Sequence, residues 1–364
     1  MSGNAMQFTV DGWDPGYGTS LELEDDLDES TAVVDVTVER PAVRWQAIDP
    51  EPGGLAPGAL LFVDGVRRVE ARVWIADGSA VNGQPAQATA ALCASYAAGV
   101  VCCCGPRAHL VQAGIRRGLF TVAPHASDIA TWAGTYGACH VAGKTAGAPL
   151  MVRLSQALQR HLAEIEVVTA VQARAAVHEH GVPPGSDLLV VDGPLRGRQH
   201  LPRALGYIKS HRSTYLPPEL NALVATLLPG QRTPVFLMGT SWDRHSWYLR
   251  LPGPPGSPWA GVVRIECSAD LPVSEVTRLA AVSQECLGRF ASADYKDARA
   301  PQNLYPIAGL ERELRRRLGD PRLLYRALRL AAHGSGPQAD GPGEGRRDTR
   351  GGDVQHVLHG LTAG

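Results

Sequence analysis

Apolar residues fall along this chain in two rhythms, and the rhythms sort it into strands and helices. Two short runs are apolar at nearly every position: Ala59-Leu60-Leu61-Phe62-Val63, and Leu188-Leu189-Val190-Val191 after Asp187. A strand covered on both faces has no polar side to show, so such runs predict strands at the centre of a sheet layered with helices. Residues 67–75 alternate instead and read as the hairpin partner of the first run, with Arg68, Glu70 and Arg72 on one face. Residues 31–38 also alternate and lead to the turn-rich Asp49-Pro50-Glu51-Pro52-Gly53-Gly54. A further strand is expected around Val100, inside glycine- and alanine-rich sequence, and three more at 233–239, 245–251 and 260–267.

The second rhythm is helical. From 151 to 180, Leu154, Leu158, Leu162, Ile165 and Val168 recur at three and four, until Gly181-Val182-Pro183-Pro184-Gly185 stops the pattern. Two closing helices are expected at 273–290 and 306–330, the second opened by Tyr305-Pro306, with a Gly/Pro/Asp-rich tail expected to be disordered. Strands that alternate with helices imply an α/β class. The organisation read from these shifts is a strand-rich extension at 1–57, a main domain at 58–332 and a tail at 333–364.

Both apolar runs deliver an aspartate followed at once by glycine, Asp64-Gly65 and Asp192-Gly193. If each strand ends there, two carboxylates can emerge side by side, a hard oxygen donor set suited to Mg²⁺ or Mn²⁺. Asp-Gly after a strand is also an ordinary turn signal, so the pair alone leaves both readings open. Downstream stand Gly206-Tyr207-Ile208-Lys209 and Asn303-Leu304-Tyr305-Pro306-Ile307-Ala308-Gly309-Leu310.

In content and order these segments resemble the NurA nuclease family, over roughly residues 60–330. The resemblance implies a ribonuclease-H-like mixed sheet flanked by helices, a Mn²⁺- or Mg²⁺-dependent DNA nuclease, a homodimer, and a HerA-type hexameric ATPase partner in DNA end processing. By position, Asp64 and Asp192 match the metal-binding aspartates, Lys209 the lysine and Tyr305 the tyrosine. A third carboxylate is implied near the long helix; Glu166 is the first choice, with Glu164 and Glu70 behind it. Val66 and Pro194 stand where the family has serine. Leu310-Glu311-Arg312-Glu313 stands where it has a histidine, and Glu313 is the candidate to replace it. A catalytically decayed scaffold or DNA-binding subunit is the alternative.

Composition narrows the setting. The chain has 364 residues, 44% of them hydrophobic and 20% charged, which suits one large α/β unit rather than a fibrous or disordered protein. No apolar stretch reaches membrane-spanning length and the first residues lack a secretory pattern, so a cytoplasmic protein without a membrane partner is expected. The 7 cysteines include Cys102-Cys103-Cys104, read as small apolar residues of a buried strand, and free thiols agree with a reducing compartment. Net charge is −1 but unevenly spread, with an acidic run at 22–29 and arginine-rich stretches at 312–317 and 322–329. Lysine occurs only at Lys144, Lys209 and Lys296. Lys296, Arg244 and Arg250 are the candidate nucleic-acid contacts, the two arginines because they flank an aromatic strand able to stack bases. His178-Glu179-His180 lacks the spacing that puts two imidazoles on one helix face, and neither a P-loop nor a Gly-x-Ser-x-Gly elbow occurs.

Overall fold

The computed structural model describes residues 32–51, 56–76, 88–105, 107–142, 148–211, 213–254 and 256–334. The acidic run at 22–29, Lys144, most of the expected N-terminal extension and the tail from 335 onward lie outside the described residues. The chain builds one large mixed sheet flanked by helices. Its strands are β1 (Val33–Asp35), β2 (Ala59–Ala76), β3 (Ala88–Cys102), β4 (His109–Thr121), β5 (Ile129–Thr131), β6 (Gly134–His140), β7 (Asp187–Asp192), β8 (Ala204–Ile208), β9 (Phe236–Gly239), β10 (Asp243–Arg250) and β11 (Val262–Ser268). The helices are α1 (Leu150–Glu179), α2 (Pro218–Thr226), α3 (Val273–Leu287), α4 (Tyr305–Arg317) and α5 (Pro321–Gly334). Across the sheet the order is β1-β9-β10-β11-β8-β7-β2-β3-β4-β6-β5.

The two all-apolar runs lie side by side at the centre. Ala59–Val63 of β2 pairs in parallel with 187–191 of β7, and every apolar side chain in both runs is at most 1% exposed. Alternate residues serve opposite layers. Leu60 and Phe62 pack with Ile307, Leu310 and Leu314 of α4, whereas Leu61 and Val63 pack with Ala170, Ala173 and Val177 of α1. A parallel pair needs a crossover, and α1 supplies it between β6 and β7.

Two sequence expectations need correction here. Residues 67–75 are not a hairpin partner of the aspartate strand but its continuation, because β2 runs unbroken for 18 residues. Gly65 has no left-handed backbone to turn the chain, and Val66 is buried, so the ladder to β3 carries on through Asp64↔Gly99 and Gly65↔Ala98. The single helix expected at 306–330 is two. Gly319 has φ +89°, and Asp320 then accepts the Arg322 N–H at 2.8 Å and the Leu323 N–H at 3.1 Å, capping α5 with Pro321 at its first position.

The N-terminal strand is short for a local reason. Asp35 accepts the Thr37 N–H at 2.8 Å and its hydroxyl at 2.6 Å, which closes the chain into a turn after three paired residues. β1 nevertheless pairs with β9, so the described part of that segment is stitched to the main sheet. No helix among the described residues is long and apolar enough to cross a membrane.

Candidate active site

Asp64 and Asp192 stand one residue beyond the last parallel pair, Val63↔Val191, and therefore next to each other. What separates the strands at that point is Gly193. Its φ of +97° turns the chain out of the β2 ladder, and its N–H and carbonyl then pair with Tyr207 at 2.9 and 3.1 Å. The sheet forks there: β2 goes on with β3, while the chain after β7 turns away. Both aspartates are in phase with the apolar residues that face α4, namely Phe62, Val66, Leu188 and Val190.

Lys209 follows the end of β8, in phase with Tyr207. Its Nζ donates to Asp192 Oδ2 at 2.7 Å and to Asn303 Oδ1 at 3.1 Å, and Asn303 donates in turn to Asp297 Oδ2 at 2.5 Å. Arg299 extends the chain of charges from Asp297 Oδ1, at 3.4 Å, to Glu311 Oε2, at 2.9 Å. Asn303 is fully buried and the Glu311 side chain is 14% exposed, and their bonds fix the start of α4 against the fork.

Glu166 arrives from the other side of the sheet. It projects from α1 and is 6% exposed, and it approaches β2 only because residue 65 is glycine: a Cβ there would collide with Glu166 Oε1 and lie 2.8 Å from Leu162 Cδ1. Arg198, from the segment after β7, pairs with Glu166 Oε2 and donates to Pro194 O at 2.9 Å. The Asp-Gly signature thus has a packing cause at its first occurrence and a conformational cause at its second.

The electrostatics are those of an acid-rich pocket. Burial pushes the Asp64 carboxyl well above its ordinary value, the neighbouring Asp192 adds to this, Lys209 opposes it, and Glu166 and Glu311 add smaller shares. Burial also raises Glu166, against the pull of Arg198. Glu311 goes the other way: despite burial, hydrogen bonds from Arg315 and Arg299 hold it down at about 2. Asp192 Oδ1 is buried and accepts no hydrogen bond. A buried acceptor without a donor, set among carboxylates, fits an oxygen-coordinated divalent cation. The three carboxylates are not drawn together at mutual ligand distance, since the described residues hold only one group of three ligand atoms within 4.8 Å, elsewhere in the fold.

The remaining sequence candidates lie apart from this cluster. Glu70, six residues further along β2, is closed off in a bidentate pair with Arg68 at 2.9–3.1 Å. Glu164 is exposed, 3.8 Å from His161. Tyr305 begins α4, but its hydroxyl accepts the Ala293 N–H at 3.1 Å. Glu313 is two residues from Glu311, about 200° around the helix. It therefore faces a different cavity of about 400 Å³, shared with Tyr305 and Phe290, and pairs with Arg316 and Arg317. Arg244 is 7% exposed and committed to Glu266, and Arg250 donates to the carbonyls of Ala225, Pro258 and Ala260, so neither is free for a phosphate. Trp247 and Tyr248 beside them are core, not a stacking platform. Lys296 is exposed, its Nζ 5.6 Å from the centre of the Tyr305 ring.

Sequence reasoning missed Arg198, Asp297, Asn303 and Glu311. Asn303 and Glu311 lay inside segments already singled out, two residues from Tyr305 and one helical face away from Glu313. Arg198 carries no signal in a chain whose basic residues are nearly all arginine.

No protein-family profile matches the sequence, and no curated protein matches it. Among solved structures, the chain is similar to the NurA nuclease from Sulfolobus solfataricus, with a TM-score of 0.40 and 9% identity, covering 79% of this chain and 88% of that one. What the site can do therefore follows from its own residues.

Proposed function

We propose that this protein is a metal-dependent nuclease that hydrolyses phosphodiester bonds of DNA. The observation that carries the reading is the pair of adjacent aspartates at the fork, one with a buried oxygen that accepts no hydrogen bond. Asp64 and Asp192, with Glu166 as third carboxylate, would hold Mn²⁺ or Mg²⁺. Such an ion supplies a Lewis acid for the scissile phosphate and an activated water. Lys209 orients Asp192 and places a compact positive charge beside the position a phosphate oxygen must take. Arg198 keeps Glu166 at the site, and Glu311, held ionised, adds to the negative potential that draws a cation in. The order β4-β3-β2-β7-β8, antiparallel and then parallel, supports the ribonuclease-H-like part of this reading. A homodimer and a HerA-type ATPase ring belong to the proposal on the sequence resemblance alone.

One observation favours the alternative of a decayed scaffold: Glu166 is already paired with Arg198, and Asp192 with Lys209. Cleavage of single- and double-stranded DNA by the purified protein, with Mn²⁺, Mg²⁺ or chelator, decides between them. Cleavage that needs the ion and disappears in Asp64→Asn and Asp192→Asn supports the nuclease. Cleavage that survives in either variant, or none with any substrate, rejects it.

A further inference from the structure

The described residues contain one cluster of soft metal donors, and it lies outside the acidic site. Cys102 ends β3 and Cys104 stands two residues on, in the bend that follows; their sulfurs project together while Cys103 goes to the other side. The register then sets His109, the first residue of β4, directly opposite Cys102. The two sulfurs and a His109 ring nitrogen all lie within 4.8 Å of one another. Cys103 confirms the alternation: its N–H bonds Leu60 O at 2.8 Å, and its side chain packs into the opposite layer with Leu110 and Phe290.

We propose that Cys102, Cys104 and His109 bind a zinc ion that clasps the end of the β3–β4 hairpin. Two thiolates and an imidazole are a donor set suited to zinc, and tetrahedral coordination needs its ligand atoms about 3.5–4 Å apart, a contraction of at most about 1.3 Å from their present spread. Cys102 is buried and anchors the site, whereas Cys104 and His109 are exposed and leave an entry path. A water would complete the tetrahedron as fourth ligand. Cys102 pairs with Leu61, three residues before Asp64 and about 10 Å along the strand, so the clasp would tie the hairpin down close to the acidic cluster. The two sites differ in chemistry, sulfur and nitrogen in one and oxygen in the other, and should not compete for the same ion.

The test is a titration of the reduced, full-length protein with Co²⁺, read by absorbance. A thiolate-to-cobalt charge-transfer band should appear, saturate at one ion per chain and vanish on addition of Zn²⁺. Cys104→Ser should abolish it and His109→Ala should weaken it. Cys139→Ser, at a cysteine outside the cluster, should leave it intact. Asp192→Asn should also leave it intact, which separates this proposal from the nuclease. Absence of the band in the wild-type protein, or a band that survives Cys104→Ser, overturns the assignment.

Discussion

Two clusters of buried charge lie a few residues apart in this fold, and they are built on opposite rules. At the first, Glu266 on β11 is fully buried and every lone-pair direction it uses is answered. Leu195 N–H donates to Oε1 at 2.7 Å, Arg264 donates to Oε2 at 2.9 Å, and Arg244 Nε lies 3.3 Å from Oε2 as an ion pair without a hydrogen bond. At the second, Asp64, Asp192 and Glu166 crowd around the strand fork, with Lys209 and Arg198 as the nearest cations and Asp192 Oδ1 left without a donor. The first cluster sets two arginines around one acid and fixes the chain between β7 and β8. The second sets three acids against two cations and leaves one carboxylate oxygen without a donor, an excess of negative charge that a bound cation would offset, which is why the second cluster and not the first is read as the candidate active site.

The sharpest way to break this comparison is to neutralise one acid in each cluster. Asp192→Asn should lower Mn²⁺-dependent cleavage by at least about 10²-fold while leaving the metal-free unfolding midpoint unchanged or higher, because a like-charge contact is relieved. Glu266→Gln should do the reverse to stability, costing about 3–5 kcal/mol in denaturant unfolding, since two arginines are left buried without their partner. If both variants lose stability equally, the two clusters are of one kind and the active-site reading fails.

Ion binding offers the next test. Mn²⁺ at about 100 times its dissociation constant should add ~2.7 kcal/mol to the stability of the wild type and nothing to Asp192→Asn. Gly65→Ala should then show that the fork depends on close approach. The added Cβ must displace Glu166 and Leu162, at a cost of about 1–3 kcal/mol together with a drop in cleavage.

The pH dependence of the metal-free protein should separate acids of opposite sign. Asp64 is raised in the fold, so its contribution is fully present below the ordinary aspartate range and is lost as pH rises through its raised value. Glu311 is depressed to about 2, so its contribution is present above the ordinary glutamate value and is lost as pH falls toward 2. Thermal melts of Asp64→Asn should lack the first slope, and melts of Glu311→Gln the second. The smallest effect is expected from Glu313→Gln. That carboxylate is partly exposed and paired along its own helix, and neither cleavage nor melting should change measurably.

Much of the candidate site's placement was legible before the fold was known, because its anchors are tied to strand patterning. Asp64, Asp192 and Lys209 each follow a run whose burial forces it into the sheet, and Glu166 sits on the one long amphipathic helix. The illegible part involves choices between adjacent faces. Glu311 rather than Glu313 turns to the fork because Leu310 and Leu314 face β3, where a Cβ on Gly99 would lie only 2.9 and 3.0 Å from them, and that contact orients α4. Arg244 and Arg250 looked like surface cations, but one meets a buried glutamate and the other caps three carbonyls, partners that only the folded chain brings within reach.

By itself the sequence determined the two buried apolar strands, the long helix leading into the second of them and the aspartates that follow the apolar runs. Local periodicity and the cost of burying polar groups settle those without knowledge of distant partners. Only the tertiary structure decided that β2 runs on past its aspartate, that Gly65 admits Glu166 from the opposite layer, and that Cys102, Cys104 and His109 meet at a hairpin end. Each of these depends on register and on the approach of a second element, and a pattern along one strand cannot encode which neighbour arrives or at what height.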